Sequence, residues 1–267
     1  MTGARDTVFK QFAGGNLHRL LEEAATELAY YLEELGHMAV VLPSLLLDFK
    51  QHHPEDNCPA GQGSRFMRLA AVEAGLGTLG LNLMLLTPEF GPRVFLSAVM
   101  TDLALSPDEP LTEELCLGLE QCGRCAAICP EDAIPRRAPV GAPLASYRGL
   151  DGEACARSSQ PYGVGTYVEH IRALLKARSP QEVEEKVRSP MTARIWQNMA
   201  VLRQGAFTGC MACLQVCPVG GDYEVISRSP HRRRDLPDGV TRRVADGVVE
   251  VIHVGPAPEN RGGPLAE

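Results

Sequence analysis

Eight of the nine cysteines in this 267-residue chain fall into two copies of one pattern. The first is Cys122-x2-Cys125-x3-Cys129-Pro130 with a further thiol upstream at Cys116; the second is Cys210-x2-Cys213-x3-Cys217-Pro218 with Cys155 upstream. Four thiolates per copy match the demand of a [4Fe–4S] cube, and a C-x2-C loop is short enough to wrap one of its faces. The repeat predicts two iron–sulfur clusters, so the fold must gather sulfurs from positions as distant as Cys116 and Cys217. Paired C-x2-C units also build tetrahedral zinc sites, and cysteines can form a disulfide framework. The repetition of C-x2-C-x3-C-P, with no histidine at zinc-finger spacing, favours iron and sulfide over both.

The pattern resembles the bacterial ferredoxin run, with one departure. Leu119 and Phe207 stand where that run has its leading cysteines, and the leading ligand has moved upstream, six residues before Cys122 and fifty-five before Cys210. In two-cluster ferredoxins the cysteine before the proline ligates the other cluster. The resemblance therefore implies crossed ligand sets: Cys116, Cys122, Cys125 and Cys217 for one cluster, and Cys155, Cys210, Cys213 and Cys129 for the other.

Hydrophobic residues make up 45% of the chain, enough for a substantial core. The opening MTGARDTVFKQFAGG has no signal-peptide pattern, and the longest apolar stretches, such as Met38 to Leu47, are short and interrupted by proline. A cytoplasmic protein without a membrane span is the expectation. A net charge of −7 argues against a general polyanion-binding surface. The local exception is His231-Arg232-Arg233-Arg234 with Arg242-Arg243, an island suited to a phosphate, an acidic partner or solvent.

Asn16 is placed to cap a helix whose apolar residues Leu17, Leu20, Leu21, Ala24, Leu28, Leu32 and Leu35 recur at helical intervals, with Gly36 to end it. Met38 to Leu42 and Arg93 to Met100 read as buried strands, Arg65 to Glu73 as a helix, and Gln51 to Ser64 as a loop. The linker Ser106-Pro107-Asp108-Glu109-Pro110 puts a boundary ahead of the first cluster cysteine. Between the motifs, Thr166-x-x-Glu169, Ser179-Pro180-x-Glu182 and Ser189-Pro190 are helix starts, and an antiparallel helical excursion would return the chain to Cys155. Asp246-Gly247 between Arg242–Ala245 and Val248–Val254 is a hairpin turn, and Pro256 to Glu267 reads as a disordered tail. The organisation expected is α+β: residues 1–105, a double-cluster domain 106–225 with a helical insert 163–203, and 226–267 as basic segment, hairpin and tail.

The first of these units carries a second resemblance. Ala74-Gly75-Leu76-Gly77-Thr78-Leu79-Gly80-Leu81-Asn82, then Leu86-Thr87-Pro88-Glu89-Phe90-Gly91-Pro92-Arg93-Val94, then Leu96 to Leu103, resembles the corrinoid-binding core of the reductive dehalogenases and, more loosely, of the epoxyqueuosine reductases. The likeness covers roughly Leu17 to Val219. It implies an α/β, nitroreductase-like corrinoid-binding domain followed by a ferredoxin-like double-cluster domain, with cobalamin beside the clusters. Gly75, Gly77, Gly80, Asn82 and Gly91 would approach the macrocycle, and Arg93 would take a phosphate of its nucleotide tail. Read without the family, the glycines shape tight turns and Arg93 pairs with Glu89.

Two departures weigh on substrate. The acidic proton donor of epoxyqueuosine reductases would fall near Gly61, where there is no acid, and their tRNA-seating helical repeats do not follow the clusters, so nucleic acid is a poor expectation. The tyrosine and basic proton-donating pair of the dehalogenases are not locatable, and both families have more chain ahead of this core, so part of a pocket wall is expected to be missing or supplied by another subunit. The loop His52-His53-Pro54-Glu55-Asp56-Asn57-Cys58 is either a proton source or a solvated turn. Cys58 is expected to be an ordinary thiol and Trp196 a core residue. The combined expectation is an oxygen-sensitive oxidoreductase that takes electrons from an external low-potential donor through two clusters to a corrinoid and a small organic substrate. The alternative is a ferredoxin-like electron carrier or redox partner subunit.

Overall fold

The computed structural model describes residues 7–42, 62–159, 164–196, 210–228 and 240–254, which form a mixed helix and strand structure. The His52–Cys58 loop, Gly61, Phe207, the run His231–Arg234 and the tail from Pro256 lie outside the described residues.

Helix α1 spans Thr7–Glu34, so Asn16 sits inside it rather than capping it. Gly14 and Gly15 weaken a helix by about 1 kcal/mol each relative to alanine, too little to stop this one. Its C-terminus is a Schellman motif: Gly36, at φ 89°, donates to the Glu33 carbonyl, and His37 donates to that of Leu32. The buried face is His18, Ala25, Ala29 and Leu32, whereas Leu20, Leu28 and Leu35 are exposed. Small alanines let α1 lie close on the two-stranded antiparallel sheet of β1 (Ala39–Leu42) and β4 (Ala98–Thr101). That sheet replaces the two buried strands read from the sequence. With α1 packed on it and only two strands, alternate residues face outward, and the paired Val40 and Met100 are 47% and 54% exposed.

Helix α2 (Gln62–Glu73) ends in a second Schellman motif, with Gly75 at φ 74°. The chain then makes the short hairpin β2 (Thr78–Leu79) and β3 (Leu85–Leu86). The first cysteine motif lies on α3 (Gly118–Gln121) and α4 (Arg124–Ile128), followed by β5 (Arg137–Pro139) and α5 (Gly152–Ser159). The insert is helical: α6 (Val164–Leu175) packs against both α7 (Pro180–Val187) and α8 (Pro190–Trp196). Ser179 Oγ accepts from Glu182 N–H at 3.1 Å and Ser189 Oγ from Thr192 N–H at 3.3 Å, each capping a helix that begins with proline. Thr166 falls inside α6 and starts nothing. Trp196, expected in the core, ends α8 with 64% of its surface exposed.

The second motif carries α9 (Ala212–Gln215), followed by α10 (Tyr223–Arg228). Strands β6 (Val240–Ala245) and β7 (Val248–Val254) form the expected hairpin, with Asp246 at φ 52° and Gly247 at φ 72°. Two consecutive positive φ values give the twist that a two-residue turn needs. The hairpin is no appendage. β7 also pairs with β5, and Val249 and Val251 enter a core with Leu81, Leu119, Ala126, Ala127, Ile134 and Ala138. Among the described residues no helix is long and apolar enough to cross a membrane.

Candidate metal centre

The turn geometry of the first motif depends on two glycines. Gly118 (φ 62°) is the first residue of α3, where a Cβ would meet Tyr147 Oη at 2.5 Å; Gly123 (φ 67°) precedes α4 as its N-cap, where a Cβ would meet Val251 Cγ2 at 2.7 Å. Cys122 thus ends one short helix and Cys125 rides on the next, with Cys129 closing it in extended backbone. α4 packs directly on α9, which carries Cys213. Cys116, Cys125, Cys129 and Cys213 all lie against the apolar core. Among the described residues no cysteine is in a disulfide, and no three His, Cys, Asp or Glu side chains are grouped as a single-ion site.

The thiols sort by neighbour. Cys116, Cys122, Cys125 and Cys217 line one cleft. Burial first, and then the neighbouring Cys122 and Cys116, push the Cys217 thiol up to about 11. Cys125 is raised well above the ordinary thiol range by burial, then by Cys213 and by Cys122, Cys116 and Cys217. Burial takes Cys213 to about 12, with Cys210, Cys155 and Cys129 adding to the rise. Cys125 therefore feels both groups, across the contact between α4 and α9. Sulfurs in one another's field and partly withdrawn from water need nearby positive charge to exist as thiolates.

Donors and positive charges surround these sulfurs. Leu81 N–H donates to Cys116 Sγ at 3.4 Å, and Ala133 N–H to Cys129 Sγ at 3.3 Å. The backbone amides of Arg124 and Val219 favour the Cys122 and Cys217 thiolates, and the Asn82 side chain favours that of Cys213. Arg124 and Arg242 also favour the Cys122 thiolate, and Arg93 that of Cys217. The donor set fits a pair of iron–sulfur clusters.

Six other residues were assigned to a corrinoid, and the chain fills the space around them itself. A Cβ on Gly77 would lie 1.9 Å from the Leu86 carbonyl oxygen, and one on Gly80 2.7 Å from Asn82 Oδ1. Gly75 closes α2 against the Glu109 carbonyl, and Gly91 (φ 53°) is pressed on the Val219 carbonyl. Asn82 accepts from Met84 N–H at 3.2 Å. Arg93 pairs with Asp222 rather than with Glu89. Its Nε donates to Asp222 Oδ2 at 2.9 Å and Nη2 to Oδ1; Nη1 donates to the Cys217 and Leu214 carbonyls at 3.0 and 3.3 Å, and Nη2 to that of Val219 at 2.7 Å. Every N–H of the guanidinium is engaged. As placed, these residues make their close contacts within the chain itself.

Sequence reasoning missed Asp222, Tyr147 and Arg242, which donates to the Cys122 carbonyl at 2.6 Å. Arg242 had been read as part of a basic surface island; its neighbour β7 gave no hint that the hairpin walls the first cysteine motif.

No family model matches the chain. A tetrachloroethene reductive dehalogenase of Desulfitobacterium hafniense is 30% identical over 161 residues, 59% of this chain and 24% of that protein. Its relatives are reductases. An epoxyqueuosine reductase of Bacillus cereus is 39% identical over 67 residues, 25% of this chain and 17% of that protein. The chain thus matches about a quarter or less of the length of these curated relatives. Among solved structures, epoxyqueuosine reductase from Streptococcus thermophilus aligns over 82% of this chain and 42% of that one, at 17% identity and a TM-score of 0.42.

Proposed function

We propose that this chain is an iron–sulfur redox protein of the reductase type, taking electrons from an external low-potential donor through two [4Fe–4S] clusters toward reduction of a small organic substrate. Cys116, Cys122, Cys125 and Cys217 hold one cluster, and Cys155, Cys210, Cys213 and Cys129 the other, so each motif gives its last cysteine to its neighbour. The observation that carries this reading is the gathering of the first four around one cleft, with Cys213 in the field of the second group. When bound, such clusters exchange single electrons at potentials set by net charge, hydrogen bonds to sulfur and exposure to water. The chain supplies the rest. Arg93, Arg124 and Arg242 bring positive charge to the first group, backbone amides donate to its sulfurs, and the core of Leu81, Leu119 and Val251 keeps water away.

A second reading, an electron carrier without its own corrinoid or substrate, is favoured by the closed packing around Gly77, Gly80 and Arg93. Anaerobic reconstitution with iron, sulfide and cobalamin tests both. About eight irons and matching acid-labile sulfide per chain are expected, and stoichiometric zinc without sulfide would sink the cluster reading. Cobalt co-eluting with iron would favour a reductase with its own corrinoid; iron without cobalt would favour the carrier.

A further inference from the structure

We infer that Arg124 and Arg242 are redox-tuning residues, whose charges beside Cys122 give the cluster of Cys116, Cys122, Cys125 and Cys217 the higher potential of the pair, so that it holds the first electron to enter. The inference rests on the two-cluster reading above. Arg242 reaches in from β6, where its Nη2 donates to the Cys122 carbonyl at 2.6 Å. Its Nε is buried and has no partner among the described residues. Arg124 follows Cys122 and Gly123 in the chain, its Nη1 donates to Tyr223 Oη at 2.8 Å, and its guanidinium carbon lies 6.0 Å from the centre of that ring. Among the described residues neither guanidinium pairs with a carboxylate.

The cations near the other sulfurs are matched by carboxylates. Arg157, close to Cys155 in the chain, pairs with Glu131 at 3.0 Å, and Arg136 pairs with Asp132 just after Cys129. Arg93 is likewise neutralised by Asp222, so it fastens the Cys217 loop without adding net charge. The unmatched positive charge therefore sits on one side of the ligand division, and both Arg124 and Arg242 favour the Cys122 thiolate. Packing keeps their field strong. Val251, opposite Arg242 in the hairpin, is 2% exposed and would meet a Cβ on Gly123 at 2.7 Å, so little water enters to screen the charge. One electron from the external donor adds one negative charge to a cluster and breaks no bond. An unmatched cation nearby stabilises the reduced form more than the oxidised one, which raises the potential.

An electron-paramagnetic-resonance redox titration of the anaerobically reconstituted full chain tests this in wild type, Arg242→Gln, Arg242→Lys and Arg124→Gln, with Cys217→Ala and Cys210→Ala assigning the two signals. In wild type the first signal to appear on stepwise reduction should be the one that Cys217→Ala loses. Glutamine at 242 can still donate to the Cys122 carbonyl but carries no charge. Arg242→Gln should therefore make that cluster several-fold harder to reduce at a fixed potential, while the other cluster stays put. Arg242→Lys keeps the charge and should titrate close to wild type, an outcome that packing alone would not produce. Arg124→Gln should move the same cluster in the same direction as Arg242→Gln. Three results would overturn the inference while leaving the two-cluster reading standing: the signal lost in Cys210→Ala appearing first in wild type, equal shifts in Arg242→Gln and Arg242→Lys, or unmoved potentials with iron intact. A wild-type protein without two clusters would remove both. Should the glutamine variants lose iron, the order of reduction in wild type decides.

Discussion

Arg93 joins the glycine-run segment to the loop that carries Cys217, and it does so with every donor it has. Removing one partner of a largely buried ion pair typically costs about 3–5 kcal/mol, because the other charge is left uncompensated. Arg93→Ala should therefore destabilise the protein by about 3 kcal/mol in chemical denaturation and release the cluster that Cys217 helps to hold. Arg93→Lys should not rescue it, since an ammonium cannot reach Asp222 and three carbonyls together. Gly77→Val, which a corrinoid cradle would confine to cofactor binding, should instead disturb iron content, because its Cβ would displace the β2–β3 hairpin that carries Leu81 and Asn82. The sequence made Arg93 and the glycines conspicuous but not their partners. Asp222 lies 129 residues from Arg93, and no local pattern links the two.

Element by element, what could be read was what is encoded locally. The Ser179 and Ser189 caps, the Gly36 stop and the Asp246-Gly247 turn each depend on a few adjacent residues, and each is present. What depended on neighbours went astray. The leucine periodicity of α1 marked a helix, yet Ala25 and Ala29 face the sheet because it needs close approach more than bulk. The third strand β5 is only three residues long and exists through its pairing with β7. At the hairpin turn, Gly247→Ala meets no steric neighbour but must hold φ 72°, so it should cost about 1 kcal/mol with no change in iron content. A larger loss, or a loss of iron, would mean that the turn does more than set the register of β6 and β7.

At the scale of the whole molecule, the cysteine pattern pointed to a metal centre, and Cys116, Cys125, Cys129 and Cys213 pack against one apolar core with Leu81, Leu119, Val249 and Val251. Packing and metal ligation are therefore one cooperative unit, and iron chelation should abolish the thermal transition of this region rather than shift it slightly. Circular dichroism before and after chelation checks this, and an apo form that keeps its cooperative melt would refute it. The crossed division of sulfurs that we propose was legible only through likeness to ferredoxins, because two copies of a motif fit sequential and crossed ligation equally well as sequence. The most direct measurement is the paramagnetic spectrum of reduced Cys217→Ala compared with reduced Cys122→Ala and Cys210→Ala, each with its iron content. Crossed ligation predicts that Cys217→Ala and Cys122→Ala lose the same cluster signal and that Cys210→Ala loses the other. Loss of one shared signal in Cys217→Ala and Cys210→Ala, with Cys122→Ala losing the second, would contradict it.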